Sequence, residues 1–282
     1  MPADPQSTIS HRVQPPGVLT LRFAPSPMTR RLVGAGALGV ILVVWFLTTL
    51  GANPEDRLVS PVILPSPVEV IRSFPTLLNE RALLQSIAAT LRRVLFGFGL
   101  AAAIGVPLGI AAGAWRVIEA AGAPLALFGR NLPVAALIPL TILWFGIDEK
   151  QKVMFIFIAC VPFVYSDTVA TIASVPERYV ETAQTLGATQ WQIVRKVLVA
   201  LAIPDIYNNL RHLFGLAFGY IMLAELINAQ YGLGYLLMAS QRRGMSEHII
   251  AILIIIGFLA WGIDRVLYWF QRGLFPYRVI EE

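Results

Sequence analysis

A run of about twenty apolar residues is what a helix needs to cross the hydrocarbon core of a bilayer, and inside lipid only a helix closes its own backbone hydrogen bonds. This chain has six stretches near that length, 32–51, 94–113, 118–146, 152–173, 206–228 and 249–271. Such a chain folds as an all-α integral membrane protein with six transmembrane helices. Its composition agrees, with 56% hydrophobic and 14% charged residues, where a soluble domain carries about 25% charged residues. The formal net charge of +5 suits membrane lipids with anionic headgroups. No Lys/Arg cluster is interleaved with aromatics, so nothing points to nucleic acid.

Residues 1–29 are polar and contain prolines, and read as a disordered cytoplasmic segment. Arg30 and Arg31 then precede an apolar run that is longer than the core of a secretory signal, so they read as the cytoplasmic flank of the first span. The third span is interrupted by Pro124, Pro133 and Pro139 and is expected in the protein interior, where freed carbonyls find partners. Pro162 predicts a kink in the fourth span. The proline-rich stretch 52–93 reads as an extended segment followed by a short amphipathic helix near Val68–Glu80. The connection after the fifth span holds Gly232, Gly234 and Gly244 and is too short and polar to span twice. A modest excess of Lys/Arg favours cytoplasmic N- and C-termini, although Arg92 and Arg93 at the outer mouth of the second span run against that rule. The spans thus form one domain over 30–278, with 279–282 as a tail. No internal repeat supports an inverted-repeat carrier.

Several chemistries are absent. The chain lacks G-x-x-x-x-G-K-[ST], H-E-x-x-H, C-x-x-C and G-x-S-x-G. Cys160 lies in an apolar run and reads as a core residue. His11, His212 and His248 fall on different sides in this topology, so no metal site is expected. The chain reads as neither an enzyme nor a cofactor binder. Active transport by it would need a separate energy-supplying subunit.

One polar insert stands out between the fourth and fifth spans, at 174–204. Ser174-Val175-Pro176-Glu177 has capping-box spacing, and Thr189-Gln190-Trp191-Gln192 repeats it. Gly187 falls between them, so the expectation is helix, glycine turn, second helix. Ala183, Leu186, Trp191, Val194 and Val197 fall near helical spacing and form an apolar face. Two readings compete, an amphipathic linker in the headgroup layer and a docking element laid into the groove of a soluble partner.

Glu181-Thr182-Ala183, with Gly187 six residues after the glutamate, resembles the EAA loop of ABC-importer permeases. LPSP at 64–67, RNLPVAALIPLTILWFGIDEKQK at 130–152, AELI at 224–227 and YGLGYL at 231–236 resemble the nitrate/sulfonate/taurine/bicarbonate permease subfamily. The resemblance covers roughly residues 60–278. It implies a type I ABC importer permease-like bundle in the inner membrane that imports a small oxyanion. It implies as partners ATP-binding cassette ATPase subunits, a second permease copy, and a periplasmic or lipid-anchored substrate-binding protein. The loop would dock the ATPase through Glu181, Ala183, Gly187, Trp191 and Pro204. The chain departs from the family at Ala200, where the loop commonly closes with a proline, and at Asn209 and Phe218 in the fifth span.

Ionisable residues within spans are expensive and mark candidate paths. Arg130, beside Asn131 in the broken third span, reads either as a cationic lining for an anion or as a donor repairing the carbonyls around Pro133. Asp167 falls toward the cytoplasmic end of the fourth span and could face a water-filled cavity. Glu225 reads as a path residue, or as a structural carboxylate that caps the amides of the Gly232–Gly234 loop or pairs with an arginine of the neighbouring loop. Arg211 and His212 read as snorkelling residues. Small residues in the second span, GFGLAAAIGVPLGIAAG, permit close helix approach. The rival to a permease is a self-sufficient channel or ion-coupled carrier, with Asp167, Arg130 and Glu225 as its only coupling sites.

Overall fold

The computed structural model describes residues 26–51, 57–227 and 229–277; the disordered reading of the first 25 residues and the tail at 279–282 lie outside them. Every regular element among the described residues is helical. The chain divides into two compact units, 1–60 and 61–282.

The first unit carries α1 (Pro27–Thr48), apolar and long enough to cross a membrane. It begins five residues before the expected span at 32, because Ser26 caps it by accepting the Thr29 N–H at 3.2 Å and Pro27 starts its first turn. Arg30 and Arg31 therefore lie in the helix rather than ahead of it. At its far end the hydroxyls of Thr48 and Thr49 donate back to the carbonyls of Val44 and Trp45.

The second unit holds α2 (Pro67–Asn79), α3 (Leu83–Ala114), α4 (Arg116–Asn131), α5 (Leu137–Phe145) and α6 (Glu149–Ala173). It continues with α7 (Glu177–Thr185), α8 (Gln190–Ile193), α9 (Val199–Glu225), α10 (Leu233–Arg242) and α11 (Ser246–Leu274). The short helix α2 falls where it was expected, closed by a capping box between Ser66 and Glu69. α3, α6 and α11 are each apolar enough to cross, as α1 is. α4 and the 134–145 segment make a fifth crossing only if taken together, since they are bent by 91°. α9 has 27 residues, but Asn208, Asn209, Arg211, His212 and Glu225 lower its apolar content. The six expected spans thus correspond to four clear helices, one broken pair and one polar-laden helix.

The break in the third span falls at Pro133 alone. Its ring forces Leu132 to φ −67, ψ 130, out of the helical region, while Pro124 stays inside a continuous helix. This broken span does not lie in the interior as expected. Ala126 is the buried residue of α4, and Leu137, Ile138 and Thr141 are those of α5. In the last turn of α4, Asn131 Nδ2 donates to Leu127 O at 2.8 Å.

The centre of the unit is the α3–α6 pair. Gly97, Gly105, Gly109 and Gly113 of α3 face α6. A Cβ on Gly109 would lie 2.6 Å from Thr168 Cβ, and one on Gly105 2.8 Å from Val164 Cγ1. Only a small residue allows these backbones to approach so closely, as the run of small residues in the second span predicts. α9 packs on the same pair, burying Ala217, Ile221 and Ala224. Because successive spans alternate in direction, one end of the bundle gathers the starts of α3, α6 and α11 with the end of α9. The opposite end gathers the α3–α4 elbow and the 174–199 insert.

Candidate functional site

The insert folds as a helical corner. α7 ends at Thr185 with Leu186 as its C-cap, and Gly187 follows with φ +77. The Ala188 N–H donates to Ala183 O at 3.0 Å and the Gly187 N–H to Gln184 O at 2.9 Å, the bond pair that closes a helix through a left-handed glycine. Thr189 then starts α8 with a complete capping box. Its Oγ1 accepts the Gln192 N–H, and its own N–H donates to Gln192 Oε1 at 2.9 Å. The first expected capping box does not form. Ser174 still belongs to the end of α6, where its hydroxyl donates to Thr171 O at 2.7 Å, and Pro176 occupies the cap position of α7.

The root of this corner is buried and its tip is exposed. Ile193 and Val194 are buried, and Ile172, Ala202 and Ile206 form a core beneath them with Val175 and Leu198 packed against it. At the tip Leu186 is 82% exposed and Trp191 65% exposed. Glu181 and Gly187 are exposed beside them, and Ala183 is half-buried. Pro204 is not at the tip: α8 runs through a π-helical turn (Val194–Leu198) straight into α9, and Pro204 is buried there. With alanine at 200 the helix has no reason to stop earlier.

Trp191 meets the bundle at Trp115. Its ring stacks on Trp115 of the α3–α4 elbow, with centroids 6.4 Å apart and planes 12° from parallel. An aromatic pair adds ~0.5–1.5 kcal/mol beyond its buried area. Trp115→Ala is therefore expected to speed amide exchange in α8 about 2- to 10-fold, while α3 amides stay unchanged. Equal exchange in α8 would show that the stack holds nothing in place.

Arg130, in the last turn of α4, reaches the stretch of α6 that carries Asp167. The Arg130 guanidinium lies 5.4 Å from the centroid of the Phe163 ring, and Asp167 is one turn further on the same face. Arg130 is exposed and Asp167 half-buried. Thr171, a further turn on, donates to the Asp167 carbonyl at 2.6 Å and accepts from Asn209 Nδ2 of α9 at 2.9 Å. A cation, a carboxylate and an amide thus line neighbouring turns between α4, α6 and α9.

Glu225 is far from this group. It is fully buried, 0% exposed, at the other end of the bundle. Its Oε1 accepts from Arg93 Nη1 at 2.6 Å, Thr90 Oγ1 reaches both its oxygens at 2.8 and 2.9 Å, and its Oε2 accepts the Gly234 N–H at 3.0 Å. Arg93, 2% exposed, also donates to Tyr231 O at 2.7 Å and to both carboxylate oxygens of Glu149 at the start of α6. Lys152 is buried beside this cluster. Gly232 passes over it with φ +142, and a Cβ there would lie 2.5 Å from the Glu225 carboxylate. Four elements, α3, α6, α9 and the loop before α10, are thereby tied at one point. The partner arginine comes from α3, not from the neighbouring loop.

Arg93 and Glu149 were missed as a pair by sequence reasoning, which treated Arg93 as a mouth charge. The available signal was Thr90 three residues earlier, on the same helix face. Arg211 does not snorkel. Its Nε and Nη2 donate to Asp264 at 2.6 and 3.1 Å. Among the described residues no cluster of three His, Cys, Asp or Glu could hold a metal. His11 lies outside the described residues, and His212 and His248 lie on α9 and α11.

Comparison with known proteins bears on these arrangements. The family described as binding-protein-dependent transport system inner membrane component matches residues 105–277. The taurine transport system permease protein of Escherichia coli is 30% identical over 258 residues, 89% of this chain and 92% of that protein. A probable ABC transporter permease protein of Brucella melitensis is 36% identical, over 88% of this chain and 99% of its own. Permeases named for aliphatic sulfonates in Bacillus subtilis, nitrate in Synechocystis and bicarbonate in Synechococcus elongatus also match. The fold is similar to that in an inward-facing structure of the MetNI methionine ABC transporter, with TM-score 0.61 at 21% identity, over 71% of this chain and 98% of that one.

Proposed function

Since the chain belongs to the family of binding-protein-dependent transport system inner membrane components, we propose that it forms the path through which an ATP-driven importer moves a small oxyanion across the inner membrane. The observation that carries this reading is the helical corner at 177–193. It has a buried root, an exposed apolar tip and a glycine-closed turn, which suit a groove on a soluble partner. In this reading the partner is an ATP-binding cassette ATPase, and the loop, with both termini, faces the cytoplasm. A pair of permease copies would be driven by ATPase closure, and a substrate-binding protein would deliver the solute at the Arg93 end. The taurine, sulfonate, nitrate and bicarbonate names of the relatives support an anion of that class.

The test is reconstitution. The chain in vesicles with its ATPase and binding protein is expected to take up taurine, alkanesulfonate, nitrate or bicarbonate only when ATP is present. Uptake by the chain alone, driven by an ion gradient, would instead establish a self-sufficient carrier. Thermal-shift screening of the binding protein against the same anions identifies the solute.

Within this reading Arg130 is the cation that an anion meets beside α6. A hydrogen bond to a charged group is worth ~1.5–3 kcal/mol, so Arg130→Ala is expected to lower uptake about tenfold or more with assembly unchanged. Arg130→Lys should fall between, because it keeps the charge and loses the planar fork. Normal uptake by an assembled Arg130→Ala protein would remove this residue from the path.

A further inference from the structure

We propose that the last turns of α11 bind the phosphate of an anionic phospholipid. α11 is apolar from Ile249 to Ile263, and after Glu247 in its first turn the next charged residue is Asp264. Trp261 and Trp269, the residue type that favours the membrane–water boundary, stand on either side of Arg265 and are exposed. Arg265 and Arg272 are seven residues apart and so share one helix face.

Three guanidiniums converge there on a single phenol ring. Arg211 lies 4.9 Å from the Tyr268 centroid, Arg272 5.8 Å and Arg265 5.9 Å. Their charges are not equivalent. Arg211 is neutralised by Asp264 and also donates to Gln271 Oε1 at 3.3 Å. Arg265 and Arg272 are exposed, and neither forms an ion pair with a carboxylate among the described residues. Among the described residues the site thus carries two cations without an ion pair beside one that has its own.

Isolated interfacial arginines extend into water along their flexible stems. Arg265 and Arg272 are held against a common ring, so less ordering remains to be done when an anion arrives. The guanidinium fork matches phosphate oxygens in pairs. The surrounding surface selects the source of that phosphate. Trp261, Val266 and Trp269 are exposed apolar neighbours, which favour acyl chains next to the phosphate over a free ion in solution.

The experiment uses the full chain purified in detergent and offered equal phosphatidylglycerol and phosphatidylcholine, with bound lipid read by native mass spectrometry. The protein is expected to retain phosphatidylglycerol preferentially. Arg265→Gln with Arg272→Gln should lower that preference about tenfold or more, since each basic residue near an anionic surface contributes separately. Arg265→Lys with Arg272→Lys should keep part of it. Both arginines are exposed, and circular dichroism identical to that of the parent checks that the helices are intact. Equal retention of the two lipids by the parent, or an unchanged preference in the glutamine variant, would overturn the proposal. So would inorganic phosphate that stabilises the lipid-free chain and displaces phosphatidylglycerol at matching concentration, since the site would then serve a free ion.

Discussion

Gly187→Val is expected to abolish uptake while the protein still inserts and folds. Gly187 has φ +77, where a side chain costs ~1–2 kcal/mol and a β-branched one up to ~3 kcal/mol. No atom lies within 4 Å of where its Cβ would be, so the effect comes from the backbone and not from crowding. Leaving the left-handed region breaks the Ala188-to-Ala183 and Gly187-to-Gln184 bonds, and the angle between α7 and α8 opens. The bundle does not depend on that angle, because its core under the loop is made by Ile172, Ala202 and Ile206. Loss of ATPase co-purification, or ATP hydrolysis without uptake, is the expected phenotype at normal membrane levels. Gly187→Asn should be close to the parent, since asparagine tolerates the left-handed region. Glu181→Ala, at an exposed position, should be milder, at under about 1 kcal/mol. A valine variant that still binds the ATPase and transports normally would reduce the loop to a membrane-surface linker.

Glu225→Ala is expected to be the most destabilising single change. It leaves the Arg93 guanidinium, 2% exposed, facing a vacant site, and breaking a buried pair by removing one partner costs ~3–5 kcal/mol. Thr90 and the Gly234 N–H lose an acceptor in the same step. Membrane yield and the thermal midpoint should both fall sharply. Arg93→Met combined with Glu225→Leu should be less harmful than the two single effects added, because neither member of this pair is then left without the other. Strict additivity in that cycle would show that the two residues do not act as a pair.

How far the fold was legible follows from what each signal reports. Apolar length located the spans, because a bilayer imposes that length on any helix crossing it. It placed their ends poorly: α3 starts at Leu83 rather than 94, since Thr90, Arg92 and Arg93 are polar but still helical. The Gly187 corner was legible because its cause is local, a glycine followed by T-x-x-Q. The Ser174 box was misread for a local reason too, since two helices competed for one hydroxyl and α6 won it. The Arg93–Glu225–Glu149 cluster joins residues 56 and 132 positions apart, and no short-range pattern reports such a meeting. The Trp115–Trp191 stack was hidden likewise, Trp191 alone reading as part of the insert's apolar face.

The uninterrupted passage from α8 through the π-helical turn into α9 has a mechanical consequence. Residues 190–225 form one rod, about 50 Å long at 1.5 Å per residue. Trp191 stands near one tip of it and Glu225 at the other. A rigid rod cannot be tilted at one tip alone, so a displacement of α8 becomes a torque on the clamp that holds α3, α6 and the loop before α10 together. The π turn is the place where such a rod can give, because its wider ring already departs from the regular ladder. Whatever grips the 177–193 corner therefore has purchase on the far mouth of the bundle through a single backbone.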